Sequence, residues 1–145
     1  MAETKRGGET GVRCVITTPE STVLDTRAEF ISVPLFDGQR GIGRGHAPFV
    51  GRLGVGEVRI TGELGGSADA TRRTFVEGGF VEVGHDEVTI ITQRSIAAEK
   101  LDAASARSDL EKLKAAPARG DEAIATRMRS EEAARALLRA AERRR

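Results

Sequence analysis

Two histidines, one cysteine and a glycine-rich stretch are the residues of this 145-residue chain whose types could support chemistry. His46 and His85 lie 39 residues apart, with no His-x-x-x-His spacing and only Cys14 as a thiol. Zinc needs three or four converging ligands, so no metal site is expected, and one cysteine forms no internal disulfide. A nucleophilic serine would need a Gly-x-Ser-x-Gly elbow, which is absent. The glycines from Gly38 to Gly56 do not spell Gly-x-x-x-x-Gly-Lys-Ser/Thr. The Gly-x-Gly at 41–43 and 43–45 lacks the third glycine of a dinucleotide fingerprint. These glycines are predicted to serve tight bends and positive φ. Cys14, inside the apolar stretch Val12–Ile16, is predicted to be a small buried filler, in keeping with a reducing compartment. No catalytic constellation emerges, and the chain is expected not to be an enzyme.

Charge offers a second lead. Arginines 127, 129, 135, 139, 143, 144 and 145 face only three glutamates over the same span. Such a helix can be a solvated face, a contact for an acidic protein, or an RNA contact. With aromatics at 3% and a formal net charge of +1 for the whole chain, base stacking has little to work with. A non-catalytic β-domain module whose basic C-terminal helix binds RNA or another acidic partner is therefore the alternative function. No stretch approaches the ~20 apolar residues of a membrane span, and no apolar run follows the charges of the first ten residues. Neither a signal peptide nor a transit peptide is expected, and membrane association would go through a partner.

The elements that must position these residues fall into two halves. Sixteen of 17 glycines precede residue 85 and all eleven valines lie at or before Val88, whereas 15 of 20 alanines lie at or after Ala97. β-Branched, glycine-punctuated sequence favours strands, and Ala/Glu/Arg/Leu-rich sequence favours helix. Residues 1–11 are predicted to be a disordered tail, 12–94 a β-sandwich domain and 95–145 a helix-loop-helix domain, an α+β arrangement. Strands are expected at 12–17, 28–33 (stopped by Pro34), 56–60, 75–77, 80–83 and 87–92, with a tight turn at Gly84-His85-Asp86. One helix is expected from about Ala98 to Ala115, ended before Pro117. A second is expected to start at Asp121 as N-cap and to pack antiparallel on the first. Few large apolar residues mark the pair: Leu101, Leu110 and Leu113, then Ile124, Met128, Leu137 and Leu138.

The most specific segment is Asp37-Gly38-Gln39-Arg40-Gly41-Ile42-Gly43-Arg44-Gly45-His46-Ala47-Pro48. It resembles the signature loop Gly-x-x-Gly-Ile/Val-x-x-x-His-Ala-Pro of the epsilon subunit of F-type ATP synthases, through Gly38, Gly41, Ile42, His46, Ala47 and Pro48. Thr18-Pro19-Glu20 before Val23-Leu24, the segment Leu53–Ile60, and Gly78-Gly79-Phe80-Val81-Glu82-Val83 followed by Val88-Thr89-Ile90 resemble further family segments in the same order.

This resemblance implies an N-terminal β-sandwich of about ten strands followed by a C-terminal antiparallel helical hairpin. It implies a rotor role in the central stalk: coupling rotation of an ion-driven c-subunit ring to the gamma subunit for ATP synthesis, with no chemistry of its own. The partners implied are the gamma subunit, the c ring and the catalytic alpha and beta subunits, with no nucleic acid. The implied location is peripheral, at the cytoplasmic face of a bacterial inner membrane. Gln39, Arg40 and His46 are the c-ring contact candidates. The family hairpin can suppress ATP hydrolysis, which makes Arg127, Arg129, Arg135 and Arg139 the expected contacts with catalytic beta subunits. Some members bind ATP through Ile/Leu-Asp-x-x-Arg-Ala on the first helix. Here Asp102 is kept, with Arg135 and Arg139 as further phosphate contacts, but Ser105 stands where the motif has arginine. Weak or absent nucleotide binding and no other cofactor are therefore expected.

Overall fold

The computed structural model describes residues 11–143. Residues 1–10 of the expected tail, and Arg144 and Arg145, lie outside the described residues. Gly11 lies inside them and is buried. The chain forms two compact units, Met1–Ser95 and Ile96–Arg145.

The first unit is a β-sandwich. Its strands are β1 (Val12–Thr17), β2 (Thr22–Leu35), β3 (Gly38–Ile42), β4 (Phe49–Arg52), β5 (Val55–Glu63), β6 (Thr71–Glu77), β7 (Phe80–Gly84) and β8 (Glu87–Ile91). A ninth, β9 (Ser95–Ala97), straddles the boundary. Hydrogen bonding runs in the order β4-β7-β8-β1-β2-β5-β6, with β3 also on β2. The 14-residue β2 joins the two layers. Its Thr22–Ala28 part pairs with β1, Ala28–Ser32 with β5 and Ile31–Leu35 with β3. Alternation then sends Cys14, Ile16, Ile31, Val33, Val58, Ile60, Val81, Val83, Val88 and Ile90 into one aliphatic core.

Pro34 does not stop β2, contrary to expectation. It lies one residue from the strand's end, where little ladder is lost, and its carbonyl accepts from the Gly54 N–H at 2.9 Å. The glycine stretch is also not mainly a set of bends. Gly38 and Gly45 have positive φ, but Gly41 sits inside β3 without it. There a Cβ would meet the far end of the exposed Phe30 ring, which would have to move aside.

The second unit holds a 3₁₀ turn (Ala98–Lys100) and two helices, α1 (Ala103–Ala115) and α2 (Asp121–Arg143). The first helix does not begin near Ala98. Asp102 is extended and its carboxylate caps α1 by accepting from the Ala104 N–H at 3.0 Å, so the helix starts after it. Asp121 is not the cap of α2 but its first residue. The first α2 hydrogen bond runs from the Ile124 N–H to the Gly120 carbonyl, and Asp121 and Glu122 lie in the positive first turn. The helices are antiparallel: Arg107 near the start of α1 meets Glu142 near the end of α2 at 2.9 Å. No helix among the described residues is long and apolar enough to cross a membrane.

Candidate functional site

The signature loop is built on β3 and runs into β4. Ile42 is buried opposite Ile31 and anchors its start, and Phe49 opposite Val83 anchors its end. Between them Gly43–His46 forms a turn, with the His46 N–H donating to the Gly43 carbonyl at 3.3 Å. Gly45, with φ of 78°, supplies a left-handed conformation that a side chain would resist. His46 Nδ1 lies 2.7 Å from the Ala47 carbonyl oxygen. That oxygen can only accept, so Nδ1 is the donor in this contact.

Two of the three c-ring contact candidates share one aromatic platform. The His46 ring lies 5.4 Å from the Phe49 ring, and the Arg40 guanidinium lies 5.1 Å over the same ring. A cation over an aromatic face gains about 0.5–1 kcal/mol at an exposed site. Gln39 is not part of this cluster. It accepts from the Ser32 Oγ at 2.8 Å and donates to the Glu57 carbonyl at 3.4 Å, so both ends of its exposed amide are engaged by β2 and β5. Ala47 and Pro48 are exposed.

The β4-β7-β8 layer presents a second feature that sequence reasoning missed. Phe80 is the direct cross-strand partner of Ile91, and Val50 lies opposite Glu82, diagonal to Phe80. All three point away from the core, and they are 73% (Val50), 58% (Phe80) and 54% (Ile91) exposed. Arg52 and Glu82 stand beside them on the same face. The signal was present in Phe80-Val81-Glu82-Val83: Phe80 shares its parity with Glu82, so a phenylalanine occupies the polar face. Further along this layer Arg13 grips Asp25 with two hydrogen bonds, 3.0 and 2.8 Å. That bond holds the Asp25 carboxyl below its ordinary range. Cys14 on β1 faces the core, and burial, reinforced by Glu63 and Asp25, pushes its thiol up to about 12. It is a neutral packing group, not a nucleophile.

On the hairpin, the arginines do not form one array. Positions 127, 131, 135 and 139 succeed one another at i,i+4, and Arg127 and Arg135 share Glu131 between them at 3.3 Å each. Arg127 also donates to the Ala116 carbonyl at 2.8 Å. Arg129 stands roughly 200° round the helix from Arg127, and donates to Thr126 Oγ1 of its own helix. Arg139 is exposed. Asp102 is occupied as the α1 cap, Ser105 is exposed, and no hydrogen bond or ion pair among the described residues joins Asp102 to Arg135 or Arg139.

The ATP synthase, Delta/Epsilon chain, beta-sandwich domain family matches residues 11–98. The ATP synthase epsilon chain of Rhodopirellula baltica is 44% identical over 91 residues, 63% of this chain and 67% of that one. The ATP synthase epsilon chain of Priestia megaterium is 37% identical over 91 residues, 63% of this chain and 64% of that one. The chain thus spans about two thirds of the length of these relatives. A chain in the structure of the Euglena gracilis mitochondrial ATP synthase, OSCP/F1/c-ring in rotational state 1, shares the fold, with a TM-score of 0.76 at 19% identity, over 90% of this chain and 81% of that one. A β-sandwich matched over most of its length, carrying the loop and strand segments in order, decides the assignment: the chain belongs to the F-type ATP synthase epsilon-subunit family.

Proposed function

We propose that this chain is a non-catalytic rotor subunit of an ATP synthase, held between the c ring and the gamma subunit by its β unit. The observation that carries the reading is the Val50–Phe80–Ile91 face. Strand pairing gathers these three large apolar groups on one small area in water, which closing the core does not require. Flanked by Arg52 and Glu82, they form the apolar centre and charged rim of a protein-binding surface. We assign that face to gamma. The edge bearing Arg40 and His46 on Phe49 is assigned to the polar loops of the c ring, with Gln39 holding β3 in place behind it.

The helical unit carries the regulatory part of the proposal. Its arginines are solvent-facing and partly neutralised by Glu131, the arrangement of groups that steer and exchange partners rather than lock them. Arg139 and Arg129 are the freest to meet acidic segments of catalytic beta subunits and so to restrain ATP hydrolysis. Nothing on the hairpin favours RNA: it carries no aromatic residue. Nucleotide binding is weak or absent in this reading, because Asp102 is spent as a helix cap and Ser105 offers no cation. A calorimetric titration giving a micromolar ATP dissociation constant would refute that. The chain reaches the cytoplasmic face of a bacterial inner membrane only through the complex.

Co-purification with gamma tests the assignment. Phe80→Asp with Ile91→Asp is expected to weaken gamma binding by about 30-fold or more, the loss of two buried apolar anchors. Full binding by a folded double variant would remove this face from the proposal.

A further inference from the structure

We propose that Asp86 is a positioning residue that ties the middle of the signature loop to the β7–β8 hairpin. This inference rests on the rotor reading for its purpose but not for its chemistry. The Gly45 N–H donates to Asp86 Oδ1 at 2.7 Å, across 41 residues of sequence. The Arg44 Nε lies 4.0 Å from Asp86 Oδ2, so both residues before His46 are addressed by one carboxylate. The Asp86 carbonyl accepts from the Arg13 N–H at 2.9 Å, which fixes the turn to the start of β1. Its side chain is only 21% exposed.

The backbone at Asp86 makes the case sharper. Among the described residues it is the one non-glycine position with positive φ, at 52°. A hairpin turn at this conformation favours glycine, and this sequence uses glycine at many other left-handed positions. Aspartate there accepts a conformational cost and returns a carboxylate aimed at the loop. The two ends of the signature loop are anchored through Ile42 and Phe49. Asp86 pins its midpoint. The same hairpin carries Phe80 and Ile91 at its far end, about 17 Å away along two paired strands. A push on the His46 loop therefore reaches the proposed gamma face through a hydrogen-bonded ribbon instead of through a slack turn.

The test separates the carboxylate from the backbone. Asp86→Gly removes the acceptor while easing the left-handed φ, so the fold is kept. Asp86→Asn retains an acceptor oxygen and tolerates the conformation. In the full chain, amide hydrogen exchange at Gly45 is expected to rise about 10- to 100-fold in Asp86→Gly, with an unchanged melting temperature, and to return toward the parent in Asp86→Asn. In the reconstituted complex, Asp86→Gly is expected to keep gamma bound yet lose ions pumped per ATP hydrolysed, with Asp86→Asn restoring them. Unchanged Gly45 exchange in Asp86→Gly overturns the tie itself. Faster exchange with undiminished pumping overturns its role in coupling. A parent chain that never joins gamma overturns the rotor reading while leaving the Gly45 result standing.

Discussion

The β unit and the helical hairpin are held by different materials. In the sandwich the largest fully buried side chains are Phe75, Ile16, Ile31, Ile42, Ile60 and Ile90. In α2 every buried residue is alanine: 133, 136, 140 and 141. Burying an isoleucine or phenylalanine stabilises by about 1.5–3 kcal/mol, whereas an alanine methyl offers a fraction of that. The sandwich is also stitched by pairs distant in sequence, β1 on β8 and β4 on β7, so it folds as one piece. The hairpin buries one leucine of α1, Leu110, beside its alanines, and otherwise rests on local helix bonds, a cap and exposed ion pairs such as Arg107–Glu142, which contribute little each. A stiff unit suits the transmission of force. A weakly consolidated one suits a segment that changes state.

The largest break in this contrast should come from the sandwich core. Ile60→Ala is expected to cost about 2–5 kcal/mol in urea denaturation of the full chain. A cost under about 1 kcal/mol would mean that the core is loose and the contrast false. A smaller effect is expected at the hairpin. Asp102→Ala should cost about 1 kcal/mol, seen as faster amide exchange in the first turn of α1 with the β-sheet amides unmoved. Loss of protection through the sheet as well would join the two units into one cooperative body. The smallest effect lies in the acid limb. Asp25 is held below the ordinary carboxylate range, chiefly by its hydrogen bond from Arg13, so it stabilises the fold at neutral pH. That contribution fades as pH falls below the ordinary carboxylate range and through the depressed value. Asp25→Asn should leave a shallower acid dependence of stability, and an identical acid limb would show the pair to be idle.

The sequence displays the parts of the fold that follow from local pattern. Val12–Thr17, Phe80–Val83 and the break from valine to alanine are legible because alternation and propensity are properties of neighbours. β3 is not, since Gly-Gln-Arg-Gly has no apolar alternation and becomes a strand only by pairing with β2. The start of α1 is not legible either, since Asp102 takes the cap within an alanine-rich run that carries no sharper boundary signal. At the site, motif and order exposed Arg40 and His46, but their common platform Phe49 and the Asp86–Gly45 bond depend on contacts that no local window contains. The Val50–Phe80–Ile91 face needed the register of three strands before its members became neighbours.

The most direct measurement is truncation after Ala97, which keeps β9, with the shortened chain and the full chain each added back to a complex lacking this subunit. If the β unit alone grips the rotor, the short chain will bind gamma and support assembly, while ATP hydrolysis stays level or rises for want of the helical restraint. A folded short chain that fails to bind gamma would contradict the account.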